Sequence, residues 1–448
     1  MKREVIIVGG GVAGIQTALR LADRGIRPTI VEKEPDLGGK LRGWYHLFPS
    51  LTPASEVLSE LRRRLAARDV EVMTSAEAVS ITPGSVTLAD GRTLECGSVV
   101  VCSGFTLFDA RLKEEYGYGV YDNVFTSADI ERMLNEGNVT TSSGRRPRRI
   151  ALLHCVGSRD EKVCQAHCSR VCCITGVKQA MELKRLFPDA DVFNFYMDIR
   201  MFGPGYEEMY REAQQNYNIH FVRGRISEAS PTYDGRLQIK AEDTLTGRPL
   251  RMSVDMLVLL VGMRANDSNA DFAASAGLAG AQRLHGTAGP LLEQRPQRCG
   301  RDLLRRYGHR AEEYRRNIER GRCGSGSPDG LSGEGIVMAA INWGYAINKP
   351  RVIDIDSNNP RKSDEILREM PELQTCIGCG GCTATCTAGN LTDFNFRKLH
   401  TLVRRGEYQG VYEQMNKCML CGKCRLACPR GINTRGVVML IKRKLGDF

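Results

Sequence analysis

Eight of the 17 cysteines in this chain fall into two short runs near its C-terminal end. The first is Cys376, Cys379, Cys382 and Cys386; the second is Cys418, Cys421, Cys424 and Cys428, followed by Pro429. Each run reads C-x-x-C-x-x-C-x-x-x-C, the spacing of a pair of [4Fe–4S] clusters. Three thiolates at x-x intervals close a tight loop around one cube. The fourth, expected at the start of the following helix, reaches the other cube. This predicts one cluster on Cys376, Cys379, Cys382 and Cys428 and a second on Cys418, Cys421, Cys424 and Cys386. Zinc sites or disulfides are the competing reading. Zinc, however, takes one four-ligand set from paired C-x-x-C turns, not two matched four-Cys runs. Thr387 stands where proline usually follows the fourth cysteine, which weakens the turn without touching ligation.

The other end of the chain carries a second pattern. A buried-strand run, Glu4 to Val8, leads into Gly9-Gly10-Gly11-Val12-Ala13-Gly14. A helical stripe of Ile15, Ala18, Leu19 and Ala22 follows, then a strand from Pro28 to Val31 that ends at Glu32. Strand, G-x-G-x-x-G, helix, strand and acid in this order form the βαβ dinucleotide fingerprint. Gly9 makes the turn, Gly11 lets a pyrophosphate approach, Gly14 packs helix on strand, and Glu32 accepts ribose hydroxyls. The positive end of the helix, at Val12 and Ala13, stabilises phosphate charge. Glu32, with Lys33 to Lys40, then supplies E-x-x-x-x-x-G-G-x with Gly39, and a hairpin from about Ala78 to Leu94 precedes Ser98 to Phe105 with its Ser103-Gly104 turn. These elements favour FAD over NAD. Cys96 and Cys102 lack ligand spacing and read as ordinary buried thiols.

With 448 residues the chain has room for two or three domains. No apolar run is long enough to span a membrane. Met1 runs almost at once into a strand, so no leader peptide is expected, and abundant thiols then point to a reducing cytoplasm. The formal charge of +11 suggests an anionic partner, but much of the excess is local: residues 281–330 hold eleven Arg and no Lys. No nucleic-acid partner is therefore expected.

In the middle of the chain a strand at Arg149 to Leu153, a helix from Val177 to Leu186 and a strand from Asp191 to Tyr196 make a second βαβ unit. A second glycine motif for NAD(P)H is missing. Its place is taken by Cys155-Val156-Gly157-Ser158-Arg159-Asp160 and by Cys168-Ser169-Arg170-Val171-Cys172-Cys173. With Met197-Asp198-Ile199-Arg200 and Gly203-x-Gly205-Tyr206-Glu207, this pattern resembles the flavoprotein A subunits of heterodisulfide reductases. It is also similar to related flavoproteins of quinone-interacting and sulfur-oxidising complexes. The resemblance covers about residues 1–279. It implies FAD and a third [4Fe–4S] cluster on Cys155, Cys168, Cys172 and Cys173, with Cys164 spare. Redox-inert buried thiols are the plain alternative, because adjacent cysteines are unusual ligands. The family's larger members carry cysteines after the Gly-Gly element; Trp44 to Pro49 has none, which aligns the chain with the shorter forms.

Residues 338–448 resemble the iron–sulfur C subunits of the same reductases. Between the two parts, the closing strand and Pro-Lys-Asn-Ile-Glu-Glu segment that the resemblance implies are absent. Reading Arg301 to Gly330 one nucleotide out of frame, with allowed codons, yields Gly-Ile-Tyr-Cys-Ala-Gly-Thr-Gly-Thr-Ala-Pro-Lys-Asn-Ile-Glu-Glu. The tract is therefore either a basic linker or a frameshifted join of two separate proteins.

The expected fold is α/β: a two-dinucleotide-binding-type Rossmann flavoprotein plus a small α-helical 4Fe-4S dicluster, ferredoxin-like domain. The expected order is a FAD domain (1–147), an inserted Rossmann-like domain with its Cys cluster (148–245), a return to the FAD domain (246–280), an irregular Arg-rich linker (281–337) and the dicluster domain (338–448). The resemblance implies a cytoplasmic FAD- and [4Fe–4S]-dependent electron-transfer subunit, with no catalytic side chain of its own. It would act with a protein like the B subunit of heterodisulfide reductases and with a donor or acceptor protein, and a homodimer of the flavoprotein part is compatible with it. The alternative is a non-catalytic relay or scaffold subunit of a quinone-linked or sulfur-oxidising complex.

Overall fold

The alternation of apolar runs and glycine turns at the N-terminal end folds as its period dictates. Strand β1 (Arg3–Val8) is followed by helix α1 (Val12–Ala22) and strand β2 (Pro28–Val31). Both strands pair in parallel, Val5 opposite Pro28 through Val8 opposite Val31. Helix α2 (Ala54–Ala66), strand β3 (Glu71–Met73), the hairpin β4 (Ala78–Thr82) with β5 (Ser85–Leu88), and β6 (Thr93–Val101) complete a sheet of order β3-β2-β1-β6-β5-β4. Ile7, Ile15, Leu19, Ile30, Leu58 and Leu61 fill the layer between this sheet and helices α1 and α2. Each such side chain, fully buried, contributes about 1.5–3 kcal/mol of transfer free energy. The computed structural model describes residues 3–266, 268–276 and 352–446. The Arg-rich tract 281–337 and the start of the expected dicluster domain lie outside the described residues.

A second, five-stranded parallel sheet has the order β7-β14-β8-β9-β10. Its members are β7 (Val124–Thr126), β8 (Arg149–Val156), β9 (Asp191–Tyr196), β10 (His220–Arg223) and β14 (Met256–Val261). Helices α3 (Ser127–Asn135), α4 (Cys172–Leu186) and α5 (Tyr206–Gln215) cover one face through Ile130, Val177, Met181 and Met209. The all-apolar β14 and the largely apolar β8 lie inside the sheet, as a sheet covered on both faces requires. The expected insertion 148–245 supplies only three of these five strands: β7 precedes it and β14 follows it. Helix α6 (Ser268–Ser275) is the return to the first sheet, where Phe272 packs with Ile81 and Ser275 Oγ accepts from the Ile81 amide at 3.1 Å.

A third sheet joins the two ends of the chain. Strands β11 (Ile226–Pro231), β12 (Leu237–Asp243) and β13 (Arg248–Val254) form an antiparallel meander. Strand β15 (Ile353–Asp354) adds to its edge in parallel, Leu250 opposite Ile353. Arg251 grips Asp354 at 2.6 Å, and the Ser253 amide donates to Asp356 at 2.8 Å. From there the chain is helical: α7 (Arg361–Glu369), α8 (Phe396–Arg404) and α9 (Thr434–Leu445), with shorter turns of helix between them.

Arg405, just past α8, is driven against this sheet. Its Nε donates to Asp243 Oδ2 at 3.0 Å and its guanidinium to the Phe221 carbonyl at 3.1 Å, and the Arg405 and Asp243 side chains are 3% and 0% exposed. A buried pair of this kind fixes orientation, and removing one partner strands a charge in the interior. Arg405→Met is therefore expected to lower stability by about 3–5 kcal/mol in urea unfolding, and Asp243→Leu on top of it to recover most of that loss.

Candidate cofactor sites

The glycine motif closes into a cradle at the C-terminal edge of the first sheet. Gly9 has φ +108, and a Cβ there would strike the Cys102 carbonyl at 2.3 Å. A Cβ on Gly14 would meet the Gly9 carbonyl oxygen at 1.9 Å, so α1 and β1 approach as only glycine permits. A Cβ on Gly11 would meet nothing within 4 Å, which leaves open space at the helix start. No side chain caps α1 and no acid lies in its first turn, so its leading amide groups point at that space. Val12 is exposed there, and Ala13 beside it.

Glu32, 6% exposed, is pinned at the end of β2: its carboxylate accepts from the Gly10 amide at 2.6 Å and from the Glu34 amide at 2.9 Å. Gly38 pairs with Gly11, and a Cβ on Gly39 (φ +52) would meet Gly11 Cα at 3.1 Å. Lys40 lies over the Phe105 ring at 5.2 Å; burial, then the charge of Lys33, lowers its pKa. Two like charges beside an uncapped helix start fit an anionic diphosphate. Gly104 (φ +74) follows β6 with open space around it. Gly9, Gly10, Gly11, Gly14, Glu32 and Gly39 thus meet here, with Lys40 next to Gly39.

Beyond β8 the expected nicotinamide loop is a cysteine loop. The backbone is left-handed at four non-glycine residues within it: Cys155 (φ +62), Arg159 (φ +54), Cys164 (φ +57) and Arg170 (φ +64). Such conformations cost about 1–3 kcal/mol each and cluster where function demands them. Cys155, Cys172 and Cys173 are 2–3% exposed, and Cys155 Sγ lies 4.0 Å from Cys172 Sγ. Cys173 Sγ donates to the Asp198 carbonyl at 3.4 Å, and the Arg170 amide to Cys168 Sγ at 3.4 Å. The bond from Cys172 lowers the Cys155 pKa against the effect of burial; Cys172, as its donor, is pushed up to about 12. Hydrogen bonding with Cys172, then burial, pushes Cys173 up to about 12 as well. Helix α4 starts at Cys172, five residues before the helix read from the sequence, so both thiols stand at its N-terminal turn.

The C-terminal cysteines line two cavities. Cys376, Cys379, Cys382 and Cys428 border one, with Arg397, His400 and Arg430; Cys386, Cys418, Cys421 and Cys424 border the other, with Cys382 in the shared wall. Phe396 reaches both. Each run thus contributes its fourth cysteine to the other run's cavity. Among the described residues no three His, Cys, Asp or Glu side chains gather as a single ion would need. A cube of four irons, one thiolate per iron, spreads its ligands more widely. Gly380 (φ +83) and Gly422 (φ +79) occupy matching places in the runs and turn the chain before the third cysteine.

Buried donors without hydrogen-bond partners surround the first cavity: Arg397 Nε, Arg430 Nε and His400 Nδ1. That is the lining an anionic cluster would offset. Cys376 Sγ is 3.6 Å from His400 Nε2, whose pKa burial and then Arg404 hold down at about 3. Burial raises the Cys376 and Cys382 thiols, the latter to about 11, so iron must displace their protons. In the second cavity Thr434 Oγ1 donates to Cys424 Sγ at 2.9 Å and the Gly389 amide to Cys386 Sγ at 3.3 Å.

Cys386 caps a short helix (Thr387–Leu391), as expected. Cys428 does not: Pro429 and Gly431 (φ +69) make a turn first, and α9 begins only at Thr434. Of the basic residues near the second run, Arg430 pairs with Glu207 and faces the first cavity, while Lys417 pairs with Asp393 at the surface. The roles of His400 and Arg397 were not legible in the sequence, because their only signal was helical spacing within α8.

The pyridine nucleotide-disulphide oxidoreductase family matches residues 3–283, and the 4Fe-4S dicluster domain matches residues 372–432. The chain belongs to that oxidoreductase family and carries a dicluster domain. FAD and [4Fe–4S] clusters are its cofactors. It is 31% identical over 369 residues to the iron-sulfur A subunit of the CoB–CoM heterodisulfide reductase of Methanocaldococcus jannaschii, covering 62% of this chain and 56% of that one. It is 31% identical over 350 residues to the A subunit of the H(2):CoB-CoM heterodisulfide,ferredoxin reductase of Methanothermobacter thermautotrophicus, covering 58% and 53%. An iron-sulfur A subunit of the CoB–CoM heterodisulfide reductase of Methanopyrus kandleri is 32% identical over 361 residues, covering 59% and 54%. The chain spans about half the length of these curated relatives.

Two outcomes are expected. Cys428→Ser should remove about four irons per chain and the signal of the cluster at Cys376, leaving that at Cys418; Cys386→Ser should do the reverse. Iron analysis with electron paramagnetic resonance reads both, and an uncrossed arrangement would exchange the two results. Gly14→Ala, whose Cβ would overlap the Gly9 carbonyl, should lower the flavin bound per chain several-fold, read by absorbance after gel filtration.

Proposed function

We propose that this chain is the electron-transfer subunit of a cytoplasmic, heterodisulfide-reductase-like complex, acting on sulfur groups through a partner protein. FAD occupies the cradle of Gly9, Gly11, Gly14, Glu32 and Gly39. Three clusters follow: one on Cys155, Cys168, Cys172 and Cys173, and the crossed pair on the C-terminal runs. A protein like the B subunit of those reductases and a separate electron donor or acceptor are the partners. Among the described residues no helix is long and apolar enough to cross a membrane.

The packing around Ile377 carries this reading. Ile377, adjacent to Cys376, packs on the apolar cluster that contains Cys155 and Cys172. The Cys376 cavity therefore packs on the second sheet's helical layer, where Arg430 pairs with Glu207 of α5, and in this reading it takes electrons before the Cys418 site. At that far site Cys421 is exposed, and Met419 and Leu426 beside it are 62% and 90% exposed. FAD supplies two-electron chemistry and each cluster takes electrons singly. The chain's own residues set the protein dipoles and charges around them.

The relay or scaffold reading has one observation in its favour. The loop after β8 offers cysteines where a nicotinamide-phosphate cradle would need glycines. Mixing the anaerobic protein with NADH or NADPH alone is expected to leave the flavin oxidised, while dithionite bleaches it. Rapid bleaching by the pyridine nucleotide would sink the relay and make the chain a free-standing reductase.

A further inference from the structure

Four ionisable side chains meet in the interior between the loop that follows the Gly38-Gly39 element and helix α4. Lys178 Nζ lies 2.6 Å from Glu131 Oε1 on α3 and 3.6 Å from Glu182 Oε2, and donates to the His46 carbonyl at 3.0 Å. Glu182 Oε1 is 3.0 Å from His46 Nδ1. Lys178 and Glu182 are 3% and 2% exposed, whereas His46 is 19% exposed.

Two carboxyls stand here against one ammonium, so full ionisation would bury an uncompensated negative charge. The hydrogen bonds say which carboxyl holds a proton. Glu131 accepts from Lys178, from Gln179 Nε2 at 2.7 Å and from the Tyr45 amide at 2.9 Å, which is a carboxylate's set of partners. Glu182 Oε2 is buried with no partner within hydrogen-bond distance; its nearest cation, the Lys178 ammonium at 3.6 Å, is committed to Glu131 and the His46 carbonyl, which suits the carbonyl oxygen of an acid better than a carboxylate. Its other oxygen then donates to a neutral His46. Burial, and secondarily the charge of Glu131, raises Glu182 to about 8 against the pull of Lys178 and Arg185. Burial with Lys178 and Arg185 lowers the His46 pKa, and Glu131 opposes them.

We propose that Glu182 is a redox-linked proton site and that His46 is its exchange route to solvent. The inference rests on the flavin and iron–sulfur reading above. The network ties the loop just beyond the dinucleotide cradle to the helix that opens with Cys172 and Cys173. An electron that arrives at either neighbouring cofactor adds one negative charge. Glu182, where ionised, then takes up one proton: solvent protonates His46 Nε2 as the Nδ1 proton passes to Glu182 Oε1. Oxidation reverses both steps, so charge is conserved in each direction. Glu182 is a positioning and proton-holding group; nothing places it on a reacting atom.

Reduced-minus-oxidised infrared difference spectra of the full holoprotein at about pH 8 test this. A protonated-carboxyl C=O band should grow on reduction, shift in D2O, and vanish in Glu182→Gln, which matches the shape of the protonated acid. The midpoint potential of the coupled centre should fall with pH in the wild type around that value and lose this dependence in Glu182→Gln. His46→Asn should keep the band but slow its D2O exchange. A band that titrates yet ignores reduction, a band that survives Glu182→Gln, or an unchanged pH slope of the potential would each overturn the proposal. Flavin and iron analysis of the same samples judges the cofactor reading separately.

Discussion

A four-iron cube asks for one thiolate at each corner, and a short loop reaches only three corners. The rest of the C-terminal part follows from that geometric shortage. Each run lends its fourth cysteine to the cavity that the other run lines, with Phe396 in both linings and Cys382 in the wall between them. The region is small, and its helices α7 to α9 have a modest apolar core around Leu399, Val403, Val437 and Ile441. Metal ligation is then part of what holds it folded, as for other small metal-binding units.

The flavoprotein part depends on close approach rather than on ligation. Gly9, Gly14 and Cys102 meet at distances no side chain permits, and the parallel ladders on either side fix them. The same edge logic recurs in the second sheet, where chemistry again sits beyond the C-terminal ends of parallel strands. There Cys155 itself takes a left-handed turn, and Gly157 (φ +68) a second one two residues on.

Much of this was readable in the sequence because it is local. The βαβ fingerprint, the two cysteine runs and the strands at Arg149 and Asp191 each lie within a few tens of residues, and periodicity and spacing report such order directly. The early start of α4 was missed because Cys172 and Cys173 carry no helical period of their own. The helix start read at Cys428 was displaced because Pro429 and Gly431 form a turn whose length no pattern specifies. The membership of β7 and β14 in the second sheet depends on pairing between residues more than a hundred positions apart.

By itself the sequence determined the chemistry: which thiols are spaced for cubes, which glycines admit a pyrophosphate, and which acid follows the second strand. These depend on residue type and short spacing. Only the tertiary structure decided which cavity Arg430 and His400 line, that Arg405 and Asp243 lock the helical part to the third sheet, and that Ile377 packs on the apolar cluster beneath the second sheet. The tertiary structure alone also made one proton site out of Glu131, Lys178, Glu182 and His46. Separately they are ordinary surface-type residues. Buried together, they set two carboxyls against one ammonium, and burial pushes Glu182 towards its protonated form.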